Sequence, residues 1–458
     1  MEDIIADEVR AHAQRGPMQR RREPLPPDLR HVCRDSARAY FEASWSLNEL
    51  LFRTITHERA FFTQPDPLRQ PLVFYLGHTA AFYVNKLRLA GLASHGLDAH
   101  LDALFARGVD PESADELDGQ SAWPSVDSVW AYRRAAREQV LAAIEALPWE
   151  APITEERPEW AVLMGIEHAR IHFETSSMLL RQAPVEHLTR PRGWRYADDA
   201  PVPAERFVHV PAGDTAVGRP RGGRLFGWDN EYGHDTREVP AFDVGADLVT
   251  NAQFLAFVDA GGYRDERLWS PAGWAWRSAH GVEGPRFWLR EGTRPPRYRA
   301  MFDELPLPLS WPAEVNAIEA DAYCRWRDGV RLPTEAEWCR MLDVTEGARD
   351  DEEGAHFHLH FELGSPRPVG ATCRDRGRAL HDVRGNVWQW LSDDFHPLPG
   401  FRTHPLYDDF SVPYFDAEHA MLRGGAWATT GTGASVHYRL WFRRHFYQHA
   451  GFRLVRCE

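Results

Sequence analysis

The periodicity of this chain breaks near residue 183, and the break constrains the fold more than any other feature. Before it, four long stretches carry apolar residues at helical spacing. Residues 35–53 hold Tyr40, Phe41, Trp45, Leu47, Leu50 and Leu51 with no Pro or Gly. A Pro-rich bend at 65–71 precedes a second apolar stretch at 72–92, Ser125 is placed to cap a third at 127–147, and residues 158–180 make the fourth. Four such helices bury their apolar faces against one another as a bundle. Beyond 183 the sequence turns to Pro, Arg and Asp without periodicity, the signature of a linker. Short strands are then expected at 207–213, 237–248 and 366–370, and helices at 251–259 and 316–329, with Trp- and Gly-rich loops between them.

The expected class is multidomain, α followed by α+β. It comprises a polar tail over 1–30, a four-helix bundle over 31–182, a linker over 183–206 and a second domain over 207–458. A chain of 458 residues exceeds what one core serves. Its 18 tryptophans suit irregular structure packed by large rings.

Charge and cysteine usage exclude several classes. A formal net charge of −14 argues against nucleic acid as the main partner, and the basic cluster at 15–22 reads as a disordered tail. Cys33, Cys324, Cys339, Cys373 and Cys457 are scattered without CxxC spacing, so neither a disulfide framework nor a zinc knuckle is expected. No apolar run reaches membrane length, and residues 1–10 are acidic where a signal peptide would be basic. The expectation is a cytoplasmic protein in a reducing compartment.

Chemistry concentrates at Glu167-His168-Ala169-Arg170-Ile171-His172-Phe173-Glu174. Residues four apart share a helix face, so His168 and His172 aim two imidazoles at one point. Glu174, at about 100° per residue, faces away from His172 and is no third ligand. His78, set among Phe74, Tyr75, Phe82 and Tyr83 in the second helix, is a candidate to complete a cluster between facing helices. Locally bonded core histidines are the alternative, and zinc with water would be the competing metal. His356, His358 and His360 alternate, which in a strand puts all three on one solvated face. Gly222-Gly223 and Gly424-Gly425 lack the strand-turn-helix setting of a phosphate loop.

Five ordered motifs then carry a resemblance. They are Val315-Asn-Ala-Ile-Glu-Ala, Arg331-Leu-Pro-Thr-Glu-Ala-Glu-Trp338, Gly385-Asn-Val-Trp-Gln-Trp390, Leu422-Arg-Gly-Gly-Ala-Trp427 and Gly451-Phe-Arg453. Together they resemble the formylglycine-generating-enzyme (sulfatase-modifying factor) domain, which implies a C-type-lectin-like fold. The oxidase members use a cysteine pair near the C-terminus, and only Cys457 lies there. A DinB-like four-helix bundle ahead of such a domain resembles the non-haem iron sulfoxide synthases of ergothioneine and ovothiol biosynthesis. The stretches around His78, His168 and His172, with Pro397-Leu-Pro-Gly-Phe-Arg-Thr-His-Pro-Leu-Tyr407 and Phe442-Arg-Arg-His-Phe-Tyr, are similar to the ovothiol branch.

The resemblance implies Fe(II) held by His78, His168 and His172, with positions left open to substrates. It also implies a tyrosine as proton or electron donor, matched to Tyr407 with Tyr414 in reserve. Arg443 and Arg444 are candidates for substrate carboxylates and Trp427 for a pocket wall. The implied substrates are cysteine, histidine and O2, giving a cysteinyl-histidine sulfoxide. That branch commonly continues into a methyltransferase domain, absent from this sequence, so a separate methyltransferase or lyase would act on the product. The alternatives are an ergothioneine- or selenoneine-type synthase taking trimethylhistidine, a metal-dependent thiol transferase, and a binding protein with a vestigial metal site.

Overall fold

A computed structural model describes residues 24–108, 122–292, 294–345, 349, 354–371 and 377–457. The basic cluster at 15–22 and Cys373 lie outside the described residues. The chain forms two compact units. One runs to Trp194 and takes in Gly222–Phe226 and Met301–Asp303; the other holds the remainder. No helix among the described residues is long and apolar enough to cross a membrane.

The first unit is built on α1 (Arg34–Phe52), α2 (Leu72–Leu89), α3 (Val126–Ala146) and α4 (Glu159–Arg181). Ser125 caps α3, its side chain accepting from Ser128 N. The central element is α4, in which every residue but Ile171 and Thr175 is buried. Helices buried all round belong inside a bundle. It packs on α1 and α2, and α2 also packs on α3. Gly165 lets α4 approach closely, because a Cβ there would lie 2.3 Å from the Tyr83 ring. Buried Arg133 ties α3 to α2, donating to Leu76 O at 2.7 Å and Thr79 Oγ1 at 2.8 Å while its guanidinium lies 4.5 Å from the centre of the Trp45 ring.

The second unit is irregular. Proline divides two of the expected strands: β1 (Phe207–Val210) and β2 (Gly213–Val217) flank Pro211, and β3 (Asp235–Val239) and β4 (Phe242–Gly245) flank Pro240. α5 (Asn251–Asp259), capped by Thr250, stands where expected. After α6 (Pro271–Ala279) come β5 (Trp288–Leu289), β6 (Arg297–Arg299) and β7 (Glu304–Pro306), then α7 (Ala317–Arg327), β8 (Val330–Arg331), α8 (Glu335–Val344), β9 (Trp388–Asp394), β10 (His419–Arg423), β11 (Leu440–Arg443), β12 (Ala450–Gly451) and β13 (Val455–Arg456). There are two four-stranded sheets, ordered β1-β4-β13-β8 and β11-β10-β9-β12, and separately a β2-β3 ribbon and a three-stranded β5-β6-β7 sheet. β13 pairs inside the first of these sheets and β12 at an edge of the second, so the Gly451-Phe-Arg453 motif begins at the end of β12 and leads toward β13. A core of Val210, Val244, Trp338, Met341, Leu391, Met421 and Val455 fills the space around α8.

Three expectations need correction. Residues 366–370 form no strand. The stretch read as loop contains α6 and α8, whose start signals were Ser270 before Pro271 and the Thr334/Glu337 capping box. The alternating histidines do not share a strand face. His360 and Phe361 have φ of 55° and 61°, which breaks any extended run, and His358 is buried with Nε2 2.9 Å from Ser365 O while His356 is exposed.

One buried acid gives the second unit a pH signature. Glu319 is fully buried, accepting from Tyr263 Oη at 2.6 Å and Asn316 N at 2.9 Å. Burial pushes its carboxyl from 4.5 up to about 7. The folded state therefore keeps a proton that the unfolded chain releases. This stabilisation is full below 4.5 and is lost as pH rises through about 7, a swing on the order of 3 kcal/mol. Urea unfolding followed from about pH 5 to about pH 8 should show stability falling in the wild type. In Glu319→Gln that part of the slope should be missing; equal slopes in the two proteins would rule the buried proton out.

Candidate metal centre

The bundle brings His78 of α2 together with His168 and His172 of α4. Among the described residues these are the cluster of three or more potential metal ligands, with one ligand atom from each within 4.8 Å of the others, all buried. Glu174 is not part of it. His172 Nε2 lies 3.2 Å from His78 Nε2 and 3.1 Å from His168 Nε2.

The tautomer of His78 follows from its second nitrogen. Nδ1 lies 2.7 Å from the carbonyl oxygen of Phe105, which can only accept, so Nδ1 carries the hydrogen and Nε2 keeps its lone pair toward the other rings. Gly77 makes this contact possible, since a Cβ there would sit 2.5 Å from the Phe105 ring. Aromatic rings wall the cluster. Phe82 stacks on His168 with centroids 3.5 Å apart and planes 6° from parallel, and Phe74 stacks on His78 at 5.0 Å. Tyr75 lies 6.1 Å from His172, ring centre to ring centre.

Such surroundings keep the imidazoles neutral. Burial lowers His78 to about 4, against the opposing pull of the Phe105 carbonyl. Burial and then the neighbouring charges of His172, His78 and Lys86 carry His168 well below 6.5; burial, His78 and Arg69 do the same for His172. Tyr75 is pushed up to about 12 by burial, with the Arg69 charge opposing, and stays protonated at neutral pH.

These features fit a bound divalent metal. Metal–nitrogen bonds of about 2.1 Å put two ligand atoms ~3.0 Å apart at a right angle and ~3.4 Å apart at a tetrahedral angle. The observed 3.1 and 3.2 Å fall within that range. Neutral rings with converging lone pairs are what a cation requires, and a three-histidine face leaves further positions for substrates.

The other expected site residues lie in the second unit, with Tyr407 and Tyr414 in one aromatic cluster through Phe410 and Trp441. Tyr407 packs beside Phe410 at 5.2 Å and Trp228 at 6.3 Å, and its phenol is raised by burial and by Tyr414, Asp409 and Asp229. Tyr414 sits against Trp441 and His419. Trp427 is buried between Phe361 and His449, at 5.5 and 4.7 Å. Arg443 ends β11, half-buried, while Arg444 is ion-paired with Asp394. Sequence reasoning missed Phe105, which fixes His78, and Arg69, whose charge reaches His172. Phe105 follows the one-turn helix Ala99–Leu104 and carried no periodic signal.

Comparison with known proteins covers both units. Residues 40–176 match the DinB superfamily, and residues 195–458 match the sulfatase-modifying factor enzyme 1-like domain. The hercynine oxygenase of Mycolicibacterium thermoresistibile is 32% identical over 414 residues, covering 86% of this chain and 88% of that protein. That of Mycolicibacterium smegmatis is 32% identical over 329 residues, covering 68% and 73%. Ergothioneine biosynthesis protein 1 of Schizosaccharomyces pombe is 25% identical over 431 residues, 84% of this chain and 51% of that protein.

If the three imidazoles hold the metal, His78→Ala, His168→Ala and His172→Ala should each weaken Fe(II) binding by well over about 10-fold. Each should also abolish the metal-dependent rise in Tm. Glu174→Gln should bind metal as the wild type does. Metal content after dialysis checks all four, and full retention by His172→Ala would remove the site.

Proposed function

The chain belongs to the sulfoxide synthase family, a DinB bundle joined to a sulfatase-modifying factor domain, and from that premise we propose that it joins the sulfur of cysteine to the imidazole ring of histidine, using Fe(II) and O2. The reaction balances as thiol plus imidazole C–H plus O2 giving a sulfoxide and water. The single observation that carries this reading is the buried, neutral three-histidine face, in a chain that matches an oxygenase of the family along most of its length. Fe(II) held by His78, His168 and His172 would supply the redox chemistry that couples C–S bond formation to reduction of O2.

The residues of the chain supply the rest. The Phe105 carbonyl holds His78 in one tautomer. Phe74 and Phe82 cover the ring faces of His78 and His168 and exclude water from that side. Tyr407 is our candidate for the proton or electron donor that the family uses, and its raised phenol keeps the proton available at neutral pH. Trp427 and Arg443 remain candidates for the substrate pocket. Arg444 is a weaker one, because Asp394 already engages its guanidinium.

A second reading is favoured by the relatives' names. Two of them are hercynine oxygenases, so trimethylhistidine is the rival acceptor; the stretches around His78, His172 and Tyr407 instead support histidine. Iron-loaded protein given cysteine, O2 and either acceptor should yield, by mass spectrometry, a cysteinyl-histidine sulfoxide with histidine. Turnover with trimethylhistidine alone would transfer the protein to the ergothioneine type. A thiol adduct formed without O2 uptake at an oxygen electrode would instead indicate a transferase.

For Tyr407, substitution by Phe should slow sulfoxide formation by about 10²-fold or more while leaving iron content unchanged. Wild-type rates in Tyr407→Phe would shift the role to Tyr414.

A further inference from the structure

A line of rings in the second unit joins Tyr407 to the surface. Tyr407 lies 5.2 Å from Phe410, Phe410 5.1 Å from Trp441, and Trp441 5.4 Å from Tyr414, ring centre to ring centre. Packing alone is met by phenylalanine, as at Phe395, which stacks on Trp441 at 4.4 Å. Indole and phenol differ from it in giving up an electron readily. Trp441 thus stands between two tyrosines as the one member of the line able to take an electron from one and pass it to the other.

The far end of the line has a proton acceptor built beside it. A phenol loses an electron far more easily when its proton leaves with it. In the β10-β11 ladder Met421 faces Trp441 and His419 faces Arg443, so His419 and Trp441 share one face as diagonal neighbours. Tyr414 packs against both, with its ring 5.1 Å from that of His419. His419 Nδ1 lies 2.9 and 3.0 Å from the two oxygens of Asp416, which also accepts from Glu418 N at 2.8 Å and His419 N at 2.9 Å. Burial raises that carboxyl, yet these bonds hold it below 3.8. An ionised carboxylate only accepts, so Nδ1 carries the hydrogen and Nε2 the lone pair. His419 is buried, whereas Tyr414 is half-buried and follows the exposed Val412 and Pro413.

We propose that Trp441 and Tyr414 carry oxidising equivalents from Tyr407 to the protein surface, with His419 taking the Tyr414 proton. The inference rests on Tyr407 as the donor in the reading above. A Tyr407 that has given up its phenolic hydrogen atom and finds no substrate to restore it takes an electron from Trp441 and a proton from solvent. The Trp441 radical cation takes an electron from Tyr414, whose proton passes to His419 and on to solvent. A low-molecular-weight thiol then returns a hydrogen atom to the Tyr414 phenoxyl, and two of the resulting thiyl radicals couple to a disulfide. The ligand histidines are thereby spared oxidation in turnovers that form no product.

Iron-loaded protein given hydrogen peroxide and a nitroso spin trap, without amino-acid substrate, tests this by peptide mapping of the trapped radical at equal iron content. In the wild type the label should fall on Tyr414. Trp441→Phe should hold it at Tyr407, and Trp441→Tyr, which restores an oxidisable ring, should return it to Tyr414. His419→Gln should leave it on Trp441, and Tyr407→Phe should remove it from Tyr414. Label retained on Tyr414 in Tyr407→Phe or in Trp441→Phe overturns the relay, because Tyr414 is then oxidised directly. A wild-type label that stays on Tyr407 also overturns it and leaves Tyr407 standing as the donor. Wild-type protein labelled on none of the three residues overturns both. Should Trp441→Phe fail to fold, Tyr414→Phe decides: its label should stop at Trp441, and label on Tyr407 instead counts against the relay.

Discussion

Three imidazoles facing one another inside a helical bundle are the constraint on which the first unit depends. A buried polar ring costs free energy unless its nitrogens are engaged, and protonating any of these would add a charge that the surroundings cannot hydrate. The bundle answers in two ways. It satisfies the outer nitrogen of His78 with a main-chain carbonyl, and it leaves inner nitrogens converging at 3.1 and 3.2 Å. The neighbouring packing follows from this. Gly77 leaves room for the Phe105 ring and thereby brings the Phe105 carbonyl to His78, and Gly165 admits Tyr83 between α2 and α4. Filling either position would displace the helix faces that carry the ligands.

The second unit meets a different difficulty. Its strands are short and much of its backbone is irregular, so carbonyls that sheets would pair need other donors. Buried arginines provide them. Arg453 donates to the carbonyls of Gly245, Ala246 and His381, and Arg439 to those of Asn230 and His396. Arg423 donates to those of Val436 and His437. Burial alone would raise the Glu335 carboxyl, yet the charges of Arg439 and Arg423 hold it at about 2. Removing Glu335 would leave two buried cations without the carboxylate that pairs with both.

The sequence made the bundle legible because long helices repeat one signal many times. α1, α2, α3 and α4 lie within a few residues of their expected bounds, and the i, i+4 spacing of His168 and His172 survives in space. His78 was legible through its apolar flanks, since a histidine among four aromatic residues needs a partner. The second unit was legible as motifs rather than as periodicity. α6 and α8 escaped because their apolar stripes are short and their start signals lie in two or three residues. The alternating histidines misled because period two was read without asking which backbone angles His360 and Phe361 could adopt. Phe105 and Arg69 act from connecting segments, where no repeat marks them.

What sets this chain apart within its family is therefore sought around the ligands rather than in them. Three neutral histidines admit iron or zinc and accept any substrate that reaches the face. Selectivity has to come from fixed groups at its edge: a cation that prefers one substrate charge, and rings that admit one shape. Phe74 and Phe82, stacked on the rings of His78 and His168, are two such rings.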